Sequence, residues 1–210
     1  MSVSRGLSSE LRRRVRVMRL YTHDLQIVPQ VPLQPGDRIE ALDPTRIGIL
    51  REIHPVDLSE DRSRLVQEHQ CFLGWAGGRA AHFSWVQDTG VHEIRGTWRR
   101  EAIQPGDFWI YSCRTAAWAR GRRLYPAALV TILRTFGNLN YRRARIAVAE
   151  ENEASIAGIE RAGFVLADRI RSFALRASLL PMPGSSYRRS GVHLDWNYSW
   201  TRSSSRTHRL

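Results

Sequence analysis

The sequence predicts an α/β (α+β) fold, a mixed sheet flanked by helices, and three stretches carry that prediction. Residues 107–164 read strand, basic glycine loop, helix, strand, helix. Residues 70–86 read as a β-hairpin, and residues 14–21 and 165–173 alternate apolar and charged side chains as half-buried strands do.

Within the first stretch, residues 107–114 are aromatic and β-rich. Arg120, Gly121, Arg122, Arg123, Leu124 and Tyr125 precede Pro126 and open a helix in which Leu129, Ile132, Leu133 and Phe136 recur at helical spacing. Gly137 is expected to close it. A second strand, residues 145–149, runs into Glu150, and Asn152 is expected to cap a helix ending at Ala162, Gly163 and Phe164. The loop at Arg120 has the character of an anion site: a helix N-terminus presents unpaired N–H groups and partial positive charge, and three arginines add bidentate donors.

The remaining elements follow in order. Residues 1–11 are polar. Val15, Val17 and Leu20 alternate with Arg14, Arg16 and Arg19 in the manner of an edge strand. Residues 37–53 carry one or two short helices broken at Asp43 and Pro44. Asp57 and Glu60 resemble a capping box for a helix through Glu68 with Leu58, Leu65 and Val66 on its apolar face. Residues 70–75 and 79–86 form the hairpin, turning at Gly77 and Gly78. Val192, Leu194, Trp196, Tyr198 and Trp200 alternate as a last strand, and residues 201–210 read as a disordered basic tail. A single domain over residues 1–200 is the expectation, with residues 107–164 as its core.

The chain holds no lysine, so all 32 basic residues are arginine and the net charge is +12. Such a field favours anionic ligands. The two cysteines, Cys71 and Cys113, sit in apolar stretches, which reads as buried thiols in a reducing compartment, and the scattered histidines do not have metal-ligand spacing. No apolar run has membrane-spanning length, so a cytoplasmic protein without a bound metal is expected.

On these residues the chain resembles the GNAT superfamily of acyl-CoA-dependent N-acyltransferases, from Cys71 to Phe173. The family's coenzyme A loop, Arg or Gln, two residues, Gly, one residue, then Gly or Ala, falls on Arg120, Arg123 and Tyr125, of which only the arginine matches. The family's Asn before a short helix ending in Gly-Phe is met by Asn152, Gly163 and Phe164. The resemblance implies a GNAT-like, mostly antiparallel central sheet and direct transfer of an acyl group, acetyl above all, from acyl-CoA to an amine of a small molecule or nucleotide-linked acceptor. It implies a monomer or homodimer, and acyl-CoA contacts from Ser112, Cys113, Arg114, Arg120, Gly121, Arg122, Arg123, Leu124, Tyr125, Asn152 and Ser155. The tyrosine many members use as general acid falls on Ile159 and is absent.

Such chemistry needs a base for the amine, polarisation of the thioester carbonyl and a proton or hydrogen bond for the thiolate. Glu150 is the first candidate base, with His82, His92 and Glu93 behind it; Ser155 and Tyr125 are candidate donors to sulfur. Each also has a plain structural role open to it: a charge at a helix N-terminus, a hydrogen-bonded core histidine, a cap. An acyl-CoA-binding protein without turnover and an arginine-rich nucleic-acid-binding protein are the alternative functions, in that order.

Overall fold

The computed structural model describes residues 15–54, 58–175 and 178–181. Its strands are β1 (Val15–His23), β2 (Arg38–Ala41), β3 (Gln70–Ala76), β4 (Arg79–Gln87), β5 (Val91–Glu93), β6 (Arg100–Ala102), β7 (Asp107–Thr115), β8 (Arg143–Ala149), β9 (Val165–Leu175) and β10 (Ser178–Pro181). The α-helices are α1 (Ser59–Val66), α2 (Leu124–Asn138) and α3 (Glu153–Arg161), joined by 3-10 turns at Pro44–Glu52 and Ala117–Ala119. Eight strands make one sheet in the order β10-β9-β1-β8-β7-β4-β3-β2, while β5 and β6 pair separately. Every neighbouring pair in the large sheet is antiparallel except β7 with β8, the one pair joined by a crossover helix, α2. The mixed, mostly antiparallel sheet expected from the sequence is the one observed.

The crossover works because α2 is apolar on the side it lays on the sheet. Leu129, Ile132, Leu133 and Phe136 are fully buried with Phe108, Ile110, Ile146 and Val148, and Ile156 and Ile159 of α3 close the same cluster. Phe136 stacks on Phe108 with centroids 4.3 Å apart. Pro126 sits in the first turn of α2, where an N–H would have no helical partner. The opposite sheet face buries Leu73, Phe83 and Trp85 under the Pro44–Glu52 turn, and Leu20, Trp109 and Ile170 under Ile94.

Four local expectations change. The strand β1 is interior, between β9 and β8, because alternation reports which face is wet and not how many neighbours a strand has. Residues 38–41 are a strand, and only the segment after Asp43, whose carboxylate accepts from the Thr45 N–H at 2.9 Å, is helical. Gly137 lies inside α2, against Leu25, and it is Asn140 at φ 64° that turns the chain out. Helix α1 starts after Leu58 without a side-chain cap, and Val66 is 84% exposed; a buried Arg64–Asp61 pair holds its inner face instead. Asp57 and the alternating segment at 192–200 lie outside the described residues, as do 1–14 and the tail.

Removing the ring at the centre of the helix-side cluster, Phe136→Ala, is expected to cost about 3–5 kcal/mol of unfolding free energy in urea titrations, the range for a buried aromatic whose site cannot collapse.

Candidate active site

The site is set by one extra residue in β7. Across β4 and β7, Trp85 pairs with Tyr111 but Phe83 pairs with Arg114, so Ser84 faces two residues, Ser112 and Cys113. Ser112 takes φ 49°, the left-handed conformation of a β-bulge. On the other side of β7 the parallel ladder to β8 ends at Ile110 opposite Ile146, although β7 runs on to Thr115 and β8 to Ala149. The two strands therefore part, and the backbone from Tyr111 to Thr115 has no strand partner on that side.

A cleft of about 680 Å³ opens at the parting, between the N-terminal turns of α2 and α3. Cys113, Arg114, Thr115, Arg120, Gly121, Arg123, Leu124, Tyr125, Asn152 and Ser155 all line it. The first N–H groups of each helix lack intrahelical partners, and of those in α3 the Ser155 N–H is taken by Asn152. Arg123 precedes α2 at φ 62° and Gly121 takes φ 82°, so the loop makes its turn with an arginine where the family prefers glycine. Arg114, Arg120, Arg123 and Arg161 line the cleft with no acidic partner among the described residues, whereas Arg122 is tied by two bonds to Asp37, at 2.8 and 3.2 Å. Arg120 and Arg123 precede the N-terminus of α2, Arg114 enters from β7 and Arg161 from the last turn of α3, so the lining of the cleft favours an anionic ligand.

Tyr125 does not block this loop. Its ring turns inward between the helices, over Gly158, where an added Cβ would meet it at 2.6 Å. The Ser155 hydroxyl donates to the Tyr125 oxygen at 3.2 Å. Burial and the neighbouring Cys113 push the Tyr125 phenol well above its usual value, so it keeps its proton. Burial likewise pushes the Cys113 thiol up to about 12, leaving it a neutral lining group rather than a nucleophile. His82 is fully buried below, bonded to Thr115 Oγ1 at 2.8 Å and Ser84 Oγ at 2.9 Å, and burial lowers it to about 3.

A second cleft, about 590 Å³, lies on the opposite sheet face, where Met18 and Ala147 point away from the helices. Tyr111, Ser112 and Arg114 line it, so Arg114 borders both. Strand β5, the end of β4 and α1 supply His92, Glu93, Gln87, Glu60 and Arg64, and His69 donates to or accepts from the Tyr111 hydroxyl at 2.6 Å. His92 stacks on Trp109 at 4.3 Å, and burial with the nearby His69 lowers it to about 4.

Of the residues singled out in the sequence, those of the anion loop, Asn152 and Ser155 converge on the first cleft. Asn152 caps α3, its side chain accepting from the Ser155 N–H at 3.1 Å. Ser112 faces the second cleft, and Arg122 is turned to Asp37. Glu150 lines neither cleft: its carboxylate is held by Arg19 at 3.1 Å and Arg169 at 3.2 Å. His69 and Tyr111 were not singled out; they meet from positions 42 residues apart, which no local pattern signals. Among the described residues no three His, Cys, Asp or Glu side chains gather as a metal site would need, and no helix is long and apolar enough to cross a membrane.

No protein-family model matches the chain, and no curated protein matches it in sequence. Its shape does match solved structures. A GNAT-family acetyltransferase structure from Novosphingobium aromaticivorans superposes with TM-score 0.55 at 18% identity, covering 75% of this chain and 63% of that one. A GCN5-related N-acetyltransferase from Sphaerobacter thermophilus gives TM-score 0.53 at 16% identity over 80% of this chain and 55% of the other. A GNAT-family acetyltransferase from Colwellia psychrerythraea gives 0.55 at 14% identity, over 75% and 55%. The chain thus has the GNAT acetyltransferase fold, and it spans between about half and two thirds of the length of these structures.

Two outcomes follow from the packing. Gly158→Ala drives a methyl group into the Tyr125 ring and is expected to narrow the first cleft and lower the unfolding temperature, and the same substitution made in a Tyr125→Ala background is expected to cost much less in thermal melts. His82 and His92, neutral when folded but protonated below pH 6.5 when unfolded, make the unfolded chain bind more protons between about pH 6.5 and 4. Stability should therefore fall as pH drops through that window, by up to about 1.4 kcal/mol per histidine per pH unit, in urea midpoints taken at pH 7, 6 and 5.

Proposed function

We infer that the protein is an acyl-CoA-dependent N-acyltransferase, with acetyl-CoA as donor and a small-molecule or nucleotide-linked amine as acceptor. The observation that carries this reading is the parting of β7 and β8 beside a cleft whose four arginines have no acidic partner among the described residues. An elongated anion with an amide-bearing arm suits it: charge for the guanidinium groups, hydrogen bonds for the strand edge.

In this reading Arg120 and Arg123, with the N–H groups opening α2, hold the pyrophosphate, and Arg114 and Arg161 stand by for further phosphate charge. Asn152 and the free edge of β7 bind the pantetheine arm. A main-chain N–H between Tyr111 and Arg114 polarises the thioester carbonyl, a donor fixed by the sheet that need not reorganise as charge develops. Ser155 and Tyr125 offer hydroxyls to the leaving thiolate. Thiolate is a good leaving group with pKa about 8.5, so hydrogen bonding suffices where Ile159 has replaced the usual acid. The acceptor amine approaches through the second cleft, and transfer is direct, since the neutral Cys113 thiol does not serve as an acyl carrier. Glu150, committed to two arginines, is passed over as base.

The experiment is a thermal-shift titration followed by a thiol-release assay. Acetyl-CoA is expected to raise the melting temperature, and Arg120→Ala to remove most of the rise. Equal stabilisation by ATP and heparin, unaltered in Arg120→Ala, would show a generic polyanion effect and end the coenzyme reading. Stabilisation without thiol release from any amine would leave a binding protein without turnover.

A further inference from the structure

We propose that the acceptor amine's proton is taken by Nε2 of His92, held in the required tautomer by Gln87. This rests on the acyl-transfer reading and names the base for it. The geometry leaves little freedom. The Gln87 side-chain nitrogen donates to two carbonyls, Thr89 O at 2.9 Å and Val91 O at 3.3 Å, which fixes which end of the amide is oxygen. That oxygen lies 2.9 Å from Nδ1 of His92. An amide oxygen only accepts, so Nδ1 carries the hydrogen and Nε2 is left with its lone pair. The ring cannot swing away: it stacks on Trp109 at 4.3 Å and meets the edge of Tyr111 at 5.2 Å. His92 lines the second cleft, and Nε2 has no hydrogen-bond partner among the described residues.

Tyr111 belongs to the unpaired stretch of β7, so the base stands against the strand proposed to hold the thioester. The charged and titratable groups around it are His69, Tyr111, Arg64, Glu60, Glu93, Arg95 and Arg114. The step balances without another reactant. The acceptor reacts as the neutral amine, the minor form left after an ammonium proton is lost to water; its lone pair forms the C–N bond to the carbonyl carbon, the remaining acidic N–H proton passes to Nε2, and the C–S bond breaks with its electron pair kept by sulfur. The imidazolium then yields its proton to the thiolate or to water. The low basicity of His92 matches a proton removed late, once bond formation to carbon has made that N–H strongly acidic. It also keeps the imidazole neutral, and therefore competent, throughout the physiological range.

The test uses the full chain with acetyl-CoA and a fixed set of primary amines: spermidine, glucosamine, tyramine and a short peptide with a free N-terminus. His92→Gln is expected to lower kcat by about 10²-fold or more, with KM for acetyl-CoA and the acetyl-CoA melting shift unchanged. Gln87→Met removes the acceptor while keeping the volume and is expected to lower kcat by about tenfold. Gln87→Glu places a carboxylate on Nδ1, which raises the imidazole and should bring an acid limb into the kcat profile that the wild type lacks. Imidazole ¹⁵N spectra should show His92 with hydrogen on Nδ1 in the wild type and mixed tautomers in Gln87→Met. Wild-type kcat in His92→Gln, or a hydrogen on Nε2, overturns the base and leaves acyl transfer standing. A wild-type protein that binds acetyl-CoA yet releases no thiol with any of the four amines overturns both.

Discussion

The bulge at Ser112 is the constraint on which the rest of the site depends. β8 cannot follow β7 away, because its other edge is paired with β1 as far as Met18 opposite Ala149. β7 cannot bend back, because past the bulge it is again paired with β4, His82 facing Thr115. Two strands held on their outer sides must open between them. A gap of this kind inside a sheet exposes peptide groups whose desolvation without a partner is costly, so it is sustained by water or by a ligand that supplies amides of its own. It also joins the two faces of the sheet at one place, where Arg114 borders both clefts and the protein backbone is their common wall.

Arginine is spread over the whole sequence, and composition alone cannot tell a structural cation from a ligand-binding one. The fold sorts them. Arg19, Arg64, Arg99, Arg122, Arg143 and Arg145 each sit against a carboxylate, most of them tying one strand or loop to another. Those around the first cleft have no carboxylate partner among the described residues, as is also true of the exposed Arg51, Arg62 and Arg142 elsewhere, but only at the cleft do four converge on one cavity. Exposed ion pairs contribute little apiece, so the pairing matters less for stability than for cancelling field where no ligand is meant to bind. Four guanidinium groups lining one cleft favour an anionic ligand there.

Much of the fold was legible in the sequence because residues 107–164 state it locally: period-two apolar runs, an amphipathic helix, an asparagine cap three residues before the serine whose N–H it accepts. The hairpin at Gly77 and Gly78 was equally plain, since both residues take positive φ. Boundaries failed where two signals competed, as at Gly137, a helix-stopper in sequence that the packing of Leu133 and Phe136 carries inside α2. The anion loop could be read because its residues are consecutive. The second cleft could not, since Gln87, His92, His69 and Tyr111 come from three strands and a loop and meet only once the sheet is built. Glu150 was attractive for its position after a strand; the arginines that claim it, Arg19 and Arg169, lie on two other strands and leave no local trace.

The first cleft is lined by guanidinium groups and by no primary amine, nor does any other side chain of this protein carry one. A reactive thioester modifies lysine slowly even without catalysis, and an enzyme that concentrates one beside its own lysines is exposed to steady self-inactivation. Guanidinium, protonated under all physiological conditions, offers the same charge to phosphate without a nucleophile. If the cleft holds an activated acyl group as proposed, it does so against a strongly cationic wall and with no side-chain amine to lose it to.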